Sequence, residues 1–257
     1  MKTETVTCPK PHFVLVHGYG GGAWAWYKIR ALLETYGYKV TCLDLKSAGL
    51  DRSNACEIRT FDEYNKPLIN FMANLAHHEK VILVGHSAGG LSVTDASHKF
   101  GKKIWAAVYV AATMLKHGFM TEQDKKDGAP GGVLSSLVNY TCVSGPDQPS
   151  TTSKDRNVAY KGPQEEEVLG SILHRPGVSL KAIMHAKFEG NGADDVRRVY
   201  IRTMNDHVLI PEQQTAMIKK WPPSETYFVE SDHNPLSSDP FVLAGLLAKA
   251  AGFIECN

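Results

Sequence analysis

The 257-residue chain lacks any long apolar run, carries no surplus charge of either sign, and has few cysteines. No stretch approaches the ~18 consecutive apolar residues of a membrane-spanning helix, so no membrane partner is expected. Lys and Arg number 28 against 27 Asp and Glu, for a formal net charge of +1. Nucleic acid and anionic bilayers both favour a basic excess, so neither is an expected partner. The cysteines, at 8, 42, 56, 142 and 256, are odd in number and contain no CxxC pair. That pattern predicts reduced thiols and argues against a disulfide framework or a structural zinc site. The opening MKTETVTCPKPHF has no apolar signal core, and together with reduced thiols it predicts a cytoplasmic location.

What is present is the composition of a soluble globular protein, 43% apolar and 21% charged. Short β-rich runs alternate with helical patterns. HFVLVHG (12–18), YKVTCLDL (38–45), KVILVGHS (80–87), IWAAVYVAA (104–112), RVYIRTM (198–204) and ETYFVE (225–230) read as strands. Several are apolar at successive positions, as in a parallel sheet covered on both faces. Trp26, Ile29, Leu33 and Tyr36 repeat at helical spacing, as do Phe61, Tyr64, Leu68, Met72 and Leu75. Thr60 and Glu63 form a capping-box pattern before the second set, and Pro67 inside it predicts a kink or a break. Asp239, Pro240 and Gly252 bracket a last helix. The alternation predicts a doubly wound, mostly parallel α/β sheet.

Between about Thr113 and Asp195 the rhythm fails. APGG (129–132) and SGPDQPSTTSKDRN (144–157) read as loops, and QEEEVLGSILHR (164–175) as a helix. We expect a core of residues 1–112 and 196–257, with 113–195 inserted as a lid over the carboxyl ends of the strands, where open α/β sheets bind ligands.

The chemistry centres on VILVGHSAGG (81–90). Gly85, Ser87 and Gly89 make the pattern G-x-S-x-G, with a strand running into it and a helix leaving it. A serine on such a tight turn has an exposed hydroxyl, and the glycines let strand and helix approach. A serine hydroxyl needs a base to become nucleophilic. His233 follows the last strand, in ESDHNP, and Asp206 follows the fifth, in TMNDHV. The order Ser, Asp, His predicts His233 as general base and Asp206 as the group fixing its tautomer. His207 precedes the final strand, Asp232 adjoins His233 too closely to face it, and Asn205 is a weaker acid. HGYGGGAW (17–24) follows the first strand and has neither a Walker lysine nor the G-x-G-x-x-G spacing. It supplies an oxyanion donor instead, the backbone N–H of Tyr19, paired with that of Ala88. The chain thus reads as an α/β-hydrolase.

The first-strand segment through GAWAWYKIRALLETYGYKVTCLDL, the EKVILVGHSAGG elbow, PQEEEVLGSILHRPGVSL (163–180) and the tail around His233 resemble the plant methylesterase and hydroxynitrile lyase family of α/β-hydrolases. The resemblance implies a cytosolic enzyme without a cofactor or metal, often a homodimer, that acts on small-molecule esters. Family lyases carry a threonine where Gly18 stands and a lysine where Asn234 stands. Without that cation, departing cyanide loses its main stabiliser, so the resemblance points to the methylesterase branch. Gly18, His86 and Asn234 are expected to line the substrate pocket. Members usually have Leu or Phe at 88 and a small residue at 19, where this chain has Ala88 and Tyr19. The exchange predicts a bulkier ester than the small hormone esters, an alkaloid or terpenoid ester of specialised metabolism, whose acid product could lose carbon dioxide. Two readings stay open beside it: a lyase or cyclase using His233 as base, and a slowly hydrolysing ligand receptor.

Overall fold

The structure, a computed structural model, describes residues 10–118 and 164–252. Its centre is a six-stranded sheet of β1 (His12–Val16), β2 (Lys39–Leu43), β3 (Val81–His86), β4 (Ile104–Val110), β5 (Arg198–Thr203) and β6 (Glu225–Val229). Every pairing is parallel, in the order β2-β1-β3-β4-β5-β6. All six expected strands form.

Burial on both faces explains their unbroken apolar runs. Phe13 and Leu15 join one apolar cluster while Val14 and Val16 join the other, and in β3 Ile82 and Val84 part from Val81 and Leu83 in the same way. One face is covered by α1 (Tyr27–Thr35), through Ile29 and Leu33, and by the last helix, Pro240–Ala251, through Leu243 and Leu247. The other is covered by α2 (Phe61–Asn74), through Leu68 and Met72, and α3 (Gly89–Phe100), through Leu91 and Val93. Each such aliphatic side chain contributes roughly 1.5–3 kcal/mol of transfer free energy.

Thr60 caps α2 in a capping box, its hydroxyl 3.2 Å from Glu63 N and the Glu63 carboxylate 3.2 Å from Thr60 N. Pro67 does not break the helix, since α2 runs through it from Phe61 to Asn74. The buried stripe Phe61, Tyr64, Leu68 and Met72 spans the proline and holds both halves against the sheet. The Tyr64 carbonyl takes a donor from outside the helix, Lys46 N at 3.1 Å.

β4 and β5 are separated by residues 111–197, of which the described part holds α4 (Gln164–Leu173) and α5 (Leu180–Met184). The loops expected at 129–132 and 144–157 lie outside the described residues. After β5 come α6 (Pro211–Lys220), β6, α7 (Pro235–Ser238) and α8 (Pro240–Ala251). Asp239 occupies the N-cap position of α8 without a side-chain cap bond, Pro240 opens the helix, and Gly252 closes it.

The cysteines depart from the expectation of reduced thiols throughout. Cys42 is free, and burial pushes its thiol up to about 12, but Cys56 is disulfide-bonded. Sequence spacing is a poor guide to which sulfurs the fold brings together. Among the described residues no helix is long and apolar enough to cross a membrane, and no cluster of three or more His, Cys, Asp or Glu could hold a metal.

Candidate active site

Ser87, Asp206 and His233 lie just past the carboxyl ends of β3, β5 and β6. In a parallel sheet those ends share one edge, so three side chains spread over 146 positions of chain converge on one point. His233 Nε2 lies 2.9 Å from Ser87 Oγ, and its Nδ1 lies 2.8 Å from Asp206 Oδ2.

The turn that presents Ser87 is strained. Its φ is +53°, in the left-handed region that L side chains avoid at a cost of roughly 1–2 kcal/mol. Its carbonyl accepts from Thr113 N at 2.9 Å and Gly90 N at 3.1 Å, and its N–H donates to Val110 O at 3.2 Å. The turn closes because its neighbours have no side chains. A Cβ on Gly85 would fall 2.6 Å from Gly89 O, and one on Gly89 would fall 2.6 Å from His17 O.

Asp206 is buried, and a bare carboxylate there would be costly. Its Oδ1 accepts from Val208 N and Leu209 N, both at 2.8 Å, and its Oδ2 accepts from Thr203 Oγ1 at 2.9 Å. Desolvation raises its pKa, but the His233 ring and these amides outweigh that and hold it below the ordinary value. Gln214, fully buried on α6, ties the turn together. It donates to Leu209 O at 2.7 Å and Thr203 O at 3.1 Å, and it accepts from Thr203 N at 3.2 Å. Thr203 and Gln214 escape a reading of the sequence, since neither belongs to a motif. Their only signal is a polar residue at the end of a strand and another on the inner face of a helix.

Asp232, next to His233, faces elsewhere and accepts from Asn234 N and Ser238 Oγ, both at 2.9 Å. His86 is buried, and its Nε2–H donates to the His233 carbonyl at 2.8 Å. Desolvation, with the nearby His233 ring, pushes its pKa down to about 3, so the ring is neutral. Gly18 packs against Ser87, since a Cβ there would lie 3.0 Å from Ser87 Cβ. The Asn234 amide donates to Ser237 Oγ at 3.1 Å, and Ser237 in turn donates to Glu166 on α4 at 3.3 Å. Lys28 pairs with Glu166 at 2.7 Å, and the Tyr27 hydroxyl donates to the same carboxylate.

The loop after β1 is aimed by His17, which is fully buried. Burial lowers its pKa and keeps it neutral. Its Nε2 accepts from Leu45 N at 3.1 Å, which leaves Nδ1–H to donate to Gly18 O at 2.7 Å. Gly18 O also accepts from Gly21 N at 3.2 Å. The peptide between Gly18 and Tyr19 is planar and trans, so pinning its oxygen sets the opposite direction of the Tyr19 N–H. Neither the Tyr19 nor the Ala88 N–H donates to a backbone carbonyl among the described residues.

Comparison with known proteins agrees with this architecture. Residues 11–239 match the model of the alpha/beta hydrolase fold family. Methylesterase 17 of Arabidopsis thaliana is 47% identical, over 94% of this chain and 91% of that protein. The crystal structure of a methylesterase from Arabidopsis superposes with a TM-score of 0.81 at 35% identity, covering 95% of this chain and all of that one. Polyneuridine aldehyde esterase superposes with a TM-score of 0.82 at 30% identity, covering 94% and 99%. The chain belongs to the α/β-hydrolase family and, within it, to the plant methylesterase branch.

Proposed function

We propose that the protein is a serine esterase that hydrolyses the methyl ester of a small plant metabolite. The observation that carries the reading is the position of His233, within hydrogen-bond reach of both Ser87 Oγ (2.9 Å) and Asp206 Oδ2 (2.8 Å). In this reading His233 Nε2 takes the Ser87 proton as Oγ attacks the ester carbonyl. Asp206 holds the Nδ1–H tautomer and stabilises the imidazolium that forms. The tetrahedral oxyanion accepts from the N–H groups of Tyr19 and Ala88. His233 returns the proton to the departing methoxide, and a water then cleaves the acyl-enzyme by the same sequence.

The small Ala88 beside the nucleophile supports a bulkier acyl group than the hormone esters carry, an alkaloid or terpenoid methyl ester. Were the freed acid a β-keto or β-aldehydo acid, it would lose carbon dioxide unaided. The lyase reading has less support, because the residue after His233 is a neutral amide engaged with Ser237. We also place the protein in the cytoplasm.

Purified protein screened against methyl esters, hormone-sized and bulky, tests the proposal. Expected are turnover, release of methanol, and an acyl-enzyme on Ser87 visible by mass spectrometry. An Ser87→Ala variant that keeps most of the turnover would refute the mechanism. Faster hydrolysis of methyl salicylate than of every bulky ester would refute the substrate class.

A further inference from the structure

The lid and the oxyanion loop are joined by a set of contacts that ester hydrolysis as described does not use. The segment after α4, His174–Val178, lies directly on the loop Gly18–Gly22. Gly20 O accepts two donors from it, Arg175 N at 3.1 Å and His174 Nδ1 at 3.0 Å. The Tyr19 hydroxyl donates to Val178 O. The Tyr19 ring lies against the bare backbone of Gly177, where a Cβ would fall 2.2 Å from its Cζ. The His174 ring meets Trp24 edge to face, with centroids 5.2 Å apart. The Arg175 guanidinium reaches on to the carbonyls of Gly49 at 3.4 Å and Asp51.

These contacts complete what His17 begins. From the sheet side, His17 and Gly21 N hold the Gly18 carbonyl. Behind the loop, Asp44 accepts from Ala23 N at 2.6 Å and Leu50 N at 3.0 Å. On the remaining side the lid holds the Gly20 carbonyl and the Tyr19 side chain. Gly20 has a φ of +70°, so the loop turns there through a conformation that costs glycine little and stays soft without external restraint. The Tyr19 N–H sits between the two pinned carbonyls.

We propose that His174–Val178 is a working part of the oxyanion hole, and that Tyr19 and His174 are positioning residues that clamp the loop so that the Tyr19 N–H meets the developing oxyanion. The inference rests on the serine-esterase reading. A donor displaced by a fraction of an ångström stabilises the transition state less while leaving ground-state binding alone, so the clamp acts on kcat more than on KM. The Tyr19 hydroxyl is then a tie to the lid rather than a group offered to the acyl moiety.

The experiment compares wild type with Tyr19→Phe, His174→Ala and His174→Asn on p-nitrophenyl acetate, whose acyl group is too small to read the pocket. Active serine is titrated with a fluorophosphonate, so that rate is expressed per competent site and misfolded protein drops out. Expected are a fall in kcat per titrated serine of about tenfold in the first two variants and a KM change under about threefold. Trifluoroacetophenone, whose serine hemiketal places an oxyanion in the hole, weakens as inhibitor by a similar factor. His174→Asn, whose amide can replace the Nδ1–H donor, recovers most of the loss. Rates per titrated serine within twofold of wild type for both Tyr19→Phe and His174→Ala overturn the clamp while leaving the esterase intact. A wild-type serine that the fluorophosphonate does not label overturns the esterase reading, and the clamp with it.

Discussion

His86 donates its Nε2–H to the backbone carbonyl of His233, 2.8 Å away and 147 residues along the chain. The residue before Ser87 therefore holds the loop that carries His233, the proposed base. Burial keeps the His86 ring neutral in the site it shares with His17, His233 and Asp206, because a charged imidazole there would be stripped of water.

That neutrality makes the fold acid-sensitive in a defined window. The folded-state pKa of His86 is pushed down to about 3 from 6.5. Between those values the unfolded chain binds a proton that the folded chain does not, so stability falls as pH falls below 6.5. Between pH 7 and pH 5 this one residue removes about 2 kcal/mol. Urea unfolding at both pH values should show that drop in wild type and a smaller one in His86→Gln, whose amide can donate to the same carbonyl. Equal drops would show that His86 is not the group responsible.

Asp206→Asn keeps the side-chain shape but removes the charge and lets the amide donate toward His233. The wrong tautomer of the imidazole follows, and kcat should fall by about 10⁴-fold with circular dichroism unchanged. A loss of less than about tenfold would mean that another carboxylate serves, Asp232 being the neighbour to check next.

Thr203→Val removes one donor from Asp206 Oδ2 and one contact of Gln214 Nε2, at nearly constant volume. Both partners stay buried, so we expect a loss of about 1–3 kcal/mol in chemical denaturation. The kcat should also fall by roughly tenfold, because the carboxylate loses part of its orientation. Stability lost with kcat unchanged would assign Thr203 to the fold alone.

The positive φ of Ser87 stores strain that a glycine would relieve. Ser87→Ala and Ser87→Gly both lack the hydroxyl and should both be inactive. The glycine variant should nevertheless be the more stable of the two by about 1 kcal/mol, a difference of a few degrees in Tm. An alanine variant as stable as the glycine one would show that the elbow is unstrained in solution.

Much of this architecture is legible in the chain. Strands buried on both faces must be apolar at successive positions, so β1, β3 and β4 stand out without any partner being known. The elbow is visible because its geometry admits only glycine at 85 and 89, where a Cβ would meet backbone at 2.6 Å. The order of Ser87, Asp206 and His233 is visible because each follows a strand, and a parallel sheet puts all such loops on one edge. Pro67 leaves α2 unbroken because a buried stripe crosses the proline and outweighs the local rule against it. The pairing of Cys56 was equally invisible, since sulfurs meet by folding and not by spacing.

The class of fold can be read from the chain alone, and so can the residues proposed for the site, because both rest on local patterns: a period of burial, a glycine that must be glycine, a residue placed after a strand. Which groups hold those side chains and the loop after β1 in place is set by packing between distant elements. His86 against the His233 carbonyl, Gln214 around Thr203, and Tyr19 against Val178 are contacts across 147, 11 and 159 positions. A polar side chain shows in the sequence that it needs a partner. Which partner it has depends on packing between elements, and no local pattern encodes that distance.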